Sequence, residues 1–216
     1  MIVPKKTGIV FVTIGAVLIL SALLLFFYNQ NEDERAGQEA QTILNDVQAV
    51  IDQRETEEPE PSTVPTVSTE PEESEPPELT VVMIDGYEYI GYLTIPDLEL
   101  ELPVMADWDY ERLKLAPCRQ FGSTITDDLV IAAHNYKRHF GALGQLAQGA
   151  SICFTDMDGN VVAYLVEKLV TIDPKAVDAV QNSGYDLVLY TCTYGGSNRV
   201  AVFCNRESSA QTDENE

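Results

Sequence analysis

Only two histidines, His134 and His139, occur in the 216 residues, and the four cysteines, Cys118, Cys153, Cys192 and Cys204, never fall as CxxC. No His/Cys spacing suits zinc, so a structural zinc site is excluded as an organising element. A glycine-rich phosphate loop is missing as well. The stretch YGGSN, Tyr194 to Asn198, sits between two apolar runs and not before a helix, which argues against nucleotide chemistry. Basic residues are scarce: 13 Lys and Arg stand against 35 Asp and Glu, a net charge of −22. Nothing here supplies the phosphate-neutralising surface that a nucleic-acid partner requires. Internal repeats are absent too.

The acid excess is local. Glu32 to Glu78 holds 15 acids and two bases, Arg35 and Arg54, so −13 of the charge lies in that segment. It describes a solvated tether and not an acidic active site. Before it, Gly8 to Tyr28 is 21 residues without a charge. At roughly 1.5 Å per residue, a helix of that length crosses a hydrocarbon core of about 30 Å. Lys5 and Lys6 precede the run and Glu32, Asp33 and Glu34 follow it. The positive-inside rule then places residues 1–7 in the cytoplasm and the rest outside. A cleaved signal peptide is the competing reading, but its apolar region is shorter and ends at small residues, whereas this one ends in LLLFFYNQ. An uncleaved anchor over 8–28 is expected.

Within 29–56, Ala36, Ala40, Ile43, Leu44, Val47, Val50 and Ile51 recur at helical spacing, which predicts an amphipathic juxtamembrane helix ending before Arg54. It reads as a stalk, with self-association of its apolar face as the alternative. Residues 57–80 are rich in Pro, Glu, Ser and Thr. Such a segment buries no core and reads as an extended spacer holding a domain off the membrane. Residues 207–216 read as a frayed tail.

The folded domain is expected over 81–206. Its apolar runs are short, β-branched and bounded by turn residues. Strands are predicted at Tyr87–Ile95, Glu99–Met105, Leu129–Ala133, Ile152–Thr155, Val161–Ile172, Tyr185–Thr191 and Arg199–Cys204. Asp156–Asn160, DMDGN, is a hairpin turn by its Asp-Gly pair. Asp109–Ala116 and Phe140–Ala147 read as short helices. The fold class is therefore mainly β: a mixed sheet or a closed or nearly closed barrel of about 7–8 strands with few helices.

Chemistry concentrates near the C-terminus, in LVLYTCTYGGSNR, Leu187 to Arg199. Cys192 ends one strand, Arg199 begins the next, and the loop Thr193–Asn198 between them brings thiol and guanidinium side by side. His134 ends the apolar run DDLVIAA. A thiolate nucleophile, a histidine that manages protons and a fixed cation for an oxyanion suit attack on a carbonyl. Each has a plainer reading: a small core cysteine, a histidine bonded to backbone, a solvated arginine.

In order along the chain, YTCTYGGSNRVAVF resembles the terminal signature of sortases, the cysteine transpeptidases of Gram-positive cell surfaces. That signature is TLxTC, a loop, and an arginine opening the last strand. IGYLTIPDLELELPVM resembles the family's opening strand pair, and LVIAAHNYKRHFGALGQL its histidine segment, in the class B form. The similarity spans about Met83 to Arg206, and the anchor and spacer fit the family's layout. Val188 stands for the first Thr of TLxTC, and Ala133 for the Gly before the histidine. The short Asp173–Gly184 segment departs from class B, so the subclass is class B- or D-like.

The resemblance implies Cys192 as nucleophile, His134 as general acid/base and Arg199 as the arginine that holds substrate and oxyanion. Thr191, with the backbone of Thr193, is implied as a positioning or oxyanion contributor. His139 and Arg206 match no motif position. The implied partners are surface proteins bearing an LPxTG- or NPxTG-like C-terminal sorting motif, and an amine acceptor such as a peptidoglycan precursor or a pilin lysine. No cofactor is implied. Some members hold calcium, and Asp107, Asp109, Glu111, Asp127 and Asp128 offer carboxylates, but their spacing matches no calcium loop. Cys118, Cys153 and Cys204 read as free thiols. Two rival functions are a tethered cysteine endopeptidase with water as acceptor and a non-catalytic β-domain that binds wall polymer or a partner.

Overall fold

The computed structural model describes residues 5–56, 79–176 and 178–207. Residues 1–4, most of the Pro/Glu-rich segment (57–78) and the tail from 208 lie outside the described residues. Helix α1 is Lys5–Thr56, α2 Arg112–Leu115 and α3 Asp178–Gln181. The strands are β1 Val82–Ile84, β2 Tyr87–Ile95, β3 Leu100–Met105, β4 Cys118–Phe121, β5 Leu129–Ala133, β6 Ser151–Asp156, β7 Val161–Ile172, β8 Leu187–Cys192 and β9 Arg199–Arg206.

The sheet runs β1-β2-β3-β4-β5-β8-β9-β7-β6, and β6 pairs back onto β2. Strands β2 to β9 thus close an eight-stranded barrel, with β1 attached outside the ring. Closure removes the exposed edges of an open sheet. Strand β2 pairs with β1, β3 and β6, and the close approach of β6 falls at Gly91. Its φ is +142°, and a Cβ there would run into the Thr155 carbonyl of β6. A bulge between Tyr89 and Gly91 lies at the same place.

Side chains alternate across each strand. Leu129, Ile131 and Ala133 of β5, Leu187 and Leu189 of β8, and Val202 and Cys204 of β9 fill the barrel interior. Val130, Val188, Ala201 and Phe203 face outward and pack under Val180 of α3. This outer layer carries the candidate site.

The Asp156–Asn160 turn and seven of the nine strands follow the apolar patterning. Strands β1 and β4 did not show in it: β1 has three residues, and β4 carries Arg119 and Gln120 at its centre. Asp109–Ala116 contracts to α2, whose first turn is closed by Asp109 Oδ1 accepting from the Glu111 and Arg112 N–H groups at 2.8 Å each. The segment expected as a helix from Phe140 is a 3₁₀ helix, Phe140–Gln145, with Gly141 and Gly144 inside it.

Helix α1 runs without a break through the apolar stretch and the acidic stretch beyond it. Its N-terminal part is long and apolar enough to cross a membrane, with a mean hydropathy of 2.9 over its most apolar window. The following stripe, Ala36, Ala40, Leu44, Val47 and Ile51, is buried. Ala40 joins the core around Ile90 and Phe140. Val47 and Ile51 pack with Tyr89, Met105 and Leu113. Each large side chain so buried contributes about 1.5–3 kcal/mol. The stripe left open to self-association is therefore occupied by the barrel of the same chain. Beyond it, Arg54 Nη2 meets Asp158 Oδ1 at 2.8 Å, and the Thr80 hydroxyl donates to Asp158 Oδ2. The two flanks of the segment read as a spacer thus meet at one aspartate. The distance from barrel to apolar run is set by α1.

Candidate active site

Strands β5 and β8 run parallel, with Ala133 opposite Thr191 as their last pair. His134 and Cys192 are the next residue on each, so they sit together at one end of the sheet, Cys192 as the last residue of β8. Strands β8 and β9 run antiparallel, with Cys192 directly opposite Arg199. By alternation Cys192 shares the face of Val188 and Tyr190, and Arg199 that of Ala201 and Phe203, all on the outer layer. His134, Cys192 and Arg199 line one cavity of about 270 Å³, with Trp108, Tyr190 and Val180 among its walls. A larger, more open cavity of about 570 Å³ adjoins it and shares Trp108 and Gln120.

Thr191 is buried, and its hydroxyl donates to the Ala133 carbonyl at 2.9 Å. That bond ties the two strands one residue short of the imidazole and the thiol. Thr193 serves the loop: its N–H donates to the Asn198 carbonyl at 2.9 Å, and its hydroxyl accepts the Asn198 N–H at 3.0 Å. The N–H expected to face an oxyanion is thus engaged. Arg199 Nη1 donates to the Gly196 and Asn198 carbonyls, both at 3.1 Å, so the loop itself aims the guanidinium. No ion pair involves Arg199 among the described residues.

His134 is half-buried. Burial holds its pKa below the usual histidine value, and the charge of Lys114 on α2 adds to that effect. Its ring lies 5.1 Å from that of Tyr136. Tyr190, two residues before Cys192, donates its hydroxyl to Gln120 Oε1. Burial pushes the Tyr190 phenol up to about 12, with Arg199 opposing. Tyr190, Gln120, Trp108 and Lys114 escaped the sequence reading. Only Tyr190 carried a signal, an aromatic sharing the cysteine's face of the strand.

All four cysteines are free. Cys118 and Cys204 are buried, and burial pushes both thiols up to about 12. Cys153 and Cys192 are half-buried. His139 lies wholly inside, where burial depresses it to about 4. The Ala36 backbone favours its charged form, yet neither ring nitrogen makes a hydrogen bond of good geometry among the described residues. Of the carboxylates weighed for calcium, Asp109 closes α2, Glu111 pairs with Lys114, Asp127 pairs with Arg206, and Asp128 accepts from the Ser123 N–H at 3.1 Å. No group of three or more metal-ligating side chains assembles among the described residues.

A family model described as "Sortase domain" matches residues 93–207. Among solved structures, sortase A from Corynebacterium diphtheriae is 21% identical, with a TM-score of 0.52, covering 59% of this chain and 64% of that one. Sortase C1 from Streptococcus agalactiae is 24% identical, with a TM-score of 0.50, covering 59% and 72%. Clostridium perfringens sortase C with the C-terminal cell wall sorting motif is 22% identical, with a TM-score of 0.49, covering 56% and 71%. The first two likenesses establish the barrel fold and nothing finer. Curated proteins gave no match to the chain.

Proposed function

The chain belongs to the sortase family, whose model spans more than half of it, and we propose that it is a membrane-anchored cysteine transpeptidase acting on an LPxTG-like sorting motif. The reading rests chiefly on one observation: Cys192 faces Arg199 across β8 and β9, while His134 leaves β5 beside Cys192, and all three line one cavity.

The sorting motif lies extended over the outer face at Cys192. The Cys192 thiolate attacks the carbonyl of the motif's Thr, forming an S–C bond, and the Arg199 guanidinium offsets the charge on the oxyanion. The C–N bond breaks as protonated His134 gives its proton to the leaving amine, and a thioester remains. A primary amine then attacks the thioester. Neutral His134 takes its proton, the thiolate leaves, and a new amide forms. Thr191 holds the strand ends in register. Thr193 closes the loop that aims Arg199, and its N–H reaches an oxyanion only by leaving Asn198.

The donors are surface proteins carrying the motif at their C-terminus, and the acceptor is an amine such as a peptidoglycan precursor or a pilin lysine. Residues 8–28 span the membrane with 1–7 in the cytoplasm, and the catalytic domain over 81–206 lies outside.

The test incubates the full chain in detergent micelles with a library of sorting peptides, with and without an amine, and follows products and thioester by mass spectrometry. Amine-dependent ligation that is lost in Cys192→Ala is expected. Hydrolysis alone would make the protein an endopeptidase. Equal traces from parent and Cys192→Ala would leave a non-catalytic binding domain.

A further inference from the structure

The loop after His134 is held by the part of α1 nearest its apolar run. The Lys137 N–H donates to Asp33 Oδ1 at 2.6 Å. Arg138 Nη2 reaches Glu34 Oε2 at 3.3 Å. Gly37 faces the Arg138 side chain so closely that a Cβ there would lie 2.8 Å from Arg138 Cβ. Buried Ala36 sits beside buried His139.

The loop is tightly bonded within itself. Phe140 N–H returns to the His134 carbonyl at 3.1 Å, and Gly141 N–H to the Tyr136 carbonyl at 2.9 Å. The Tyr136 ring lies 5.1 Å from that of His134 and 5.5 Å from that of His139. A continuous line of contacts therefore runs from α1 through His139 and Tyr136 to the His134 imidazole.

We infer that Asp33, on the juxtamembrane stretch of α1, is a positioning residue for His134. The inference rests on the reading of His134 as the acid/base. Asp33 is half-buried and accepts a charge-assisted bond from a backbone N–H, which fixes the loop's path directly. Glu34 is the weaker partner, because its pair with Arg138 is exposed on both sides and screened by solvent. Without Asp33 the exposed Lys137–Arg138 corner loses the tie from its Lys137 N–H to α1 and keeps there only the solvent-screened Arg138–Glu34 pair and the Gly37 contact, so it opens locally at lower cost. An imidazole displaced by about 1 Å loses much of its rate, since proton transfer depends on alignment.

The experiment uses the full chain in micelles as the parent, Asp33→Ala and Asp33→Asn, the last of which keeps an acceptor oxygen. Hydrogen exchange of the 135–139 amides is read alongside kcat and KM for a sorting peptide. Asp33→Ala should speed that exchange about tenfold and lower kcat about tenfold, with KM unchanged, the fold expected from one lost hydrogen bond to a charged group. Asp33→Asn should stay close to the parent in both. Unchanged exchange in Asp33→Ala, faster exchange with undiminished kcat, or equal impairment in Asp33→Asn would each overturn the inference. A parent no faster than Cys192→Ala would instead sink the transpeptidase reading and this inference with it, while the exchange data would still report whether Asp33 clamps the loop.

Discussion

The Thr191 hydroxyl donates to the Ala133 carbonyl at 2.9 Å, joining two parallel strands at the last residue before His134 and Cys192. Thr191→Val keeps the shape but leaves a buried carbonyl without its donor, a loss of about 1–3 kcal/mol. A lower Tm and a fall in kcat/KM of about tenfold are expected, with Thr191→Ser restoring both. Thermal melts and peptide kinetics on the three proteins check this, and a Thr191→Val enzyme with parental kinetics would contradict it.

Arg199 is held by carbonyls of its own loop and by no carboxylate among the described residues. Arg199→Ala should therefore leave Tm nearly unchanged while lowering kcat/KM by about 10²-fold or more. Arg199→Lys should recover little, because an ammonium lacks the planar fork. Full activity in Arg199→Ala would end its assignment to the oxyanion.

Burial and the Lys114 charge both keep the His134 ring toward its neutral form. Lys114→Met removes the second effect, so the imidazole should titrate at higher pH by NMR. The proton-donating form then becomes more abundant at neutral pH. A titration that stays in place or moves down would show that the lysine does not act on this ring.

His139, held at about 4, is well below the ordinary 6.5 of an unfolded chain. The unfolded state therefore binds more protons between those values. Stability is complete above about pH 6.5 and declines as pH falls toward about 4. The loss at pH 5 is about 2 kcal/mol from this residue, and depressed His134 adds with the same sign. His139→Leu should flatten the Tm profile across that window; an equally steep profile would place the acid sensitivity elsewhere.

Alkylation of the native protein at neutral pH should modify Cys192, and Cys153 more slowly, and spare Cys118 and Cys204. The last two are buried and pushed up to about 12, so almost no thiolate is available. Peptide mapping reads the result directly, and labelling of Cys118 ahead of Cys192 would contradict it.

Much of this was legible in the sequence because strand patterning is local. The apolar run LVLYTC ends at a turn and the chain resumes as a strand at Arg199, which brings Cys192 and Arg199 side by side. His134 was placed at a strand end by the same logic, but its parallel neighbour was not, since pairing between distant strands leaves no mark in either. The apolar stripe of α1 announced a buried face without saying what covers it. Strand β4 has too few residues and too many polar ones to show a period. That the Thr193 N–H bonds Asn198 left no mark in the sequence, because the pairing is fixed only once the loop has closed.

The Arg54 and Thr80 side chains both end on Asp158, one from each flank of the 57–78 segment. Cleavage anywhere within that stretch would therefore divide the polypeptide without parting the particle. The severed N-terminal fragment would stay seated through Leu44, Val47 and Ile51, and the nicked protein would still migrate as a two-piece whole under native conditions.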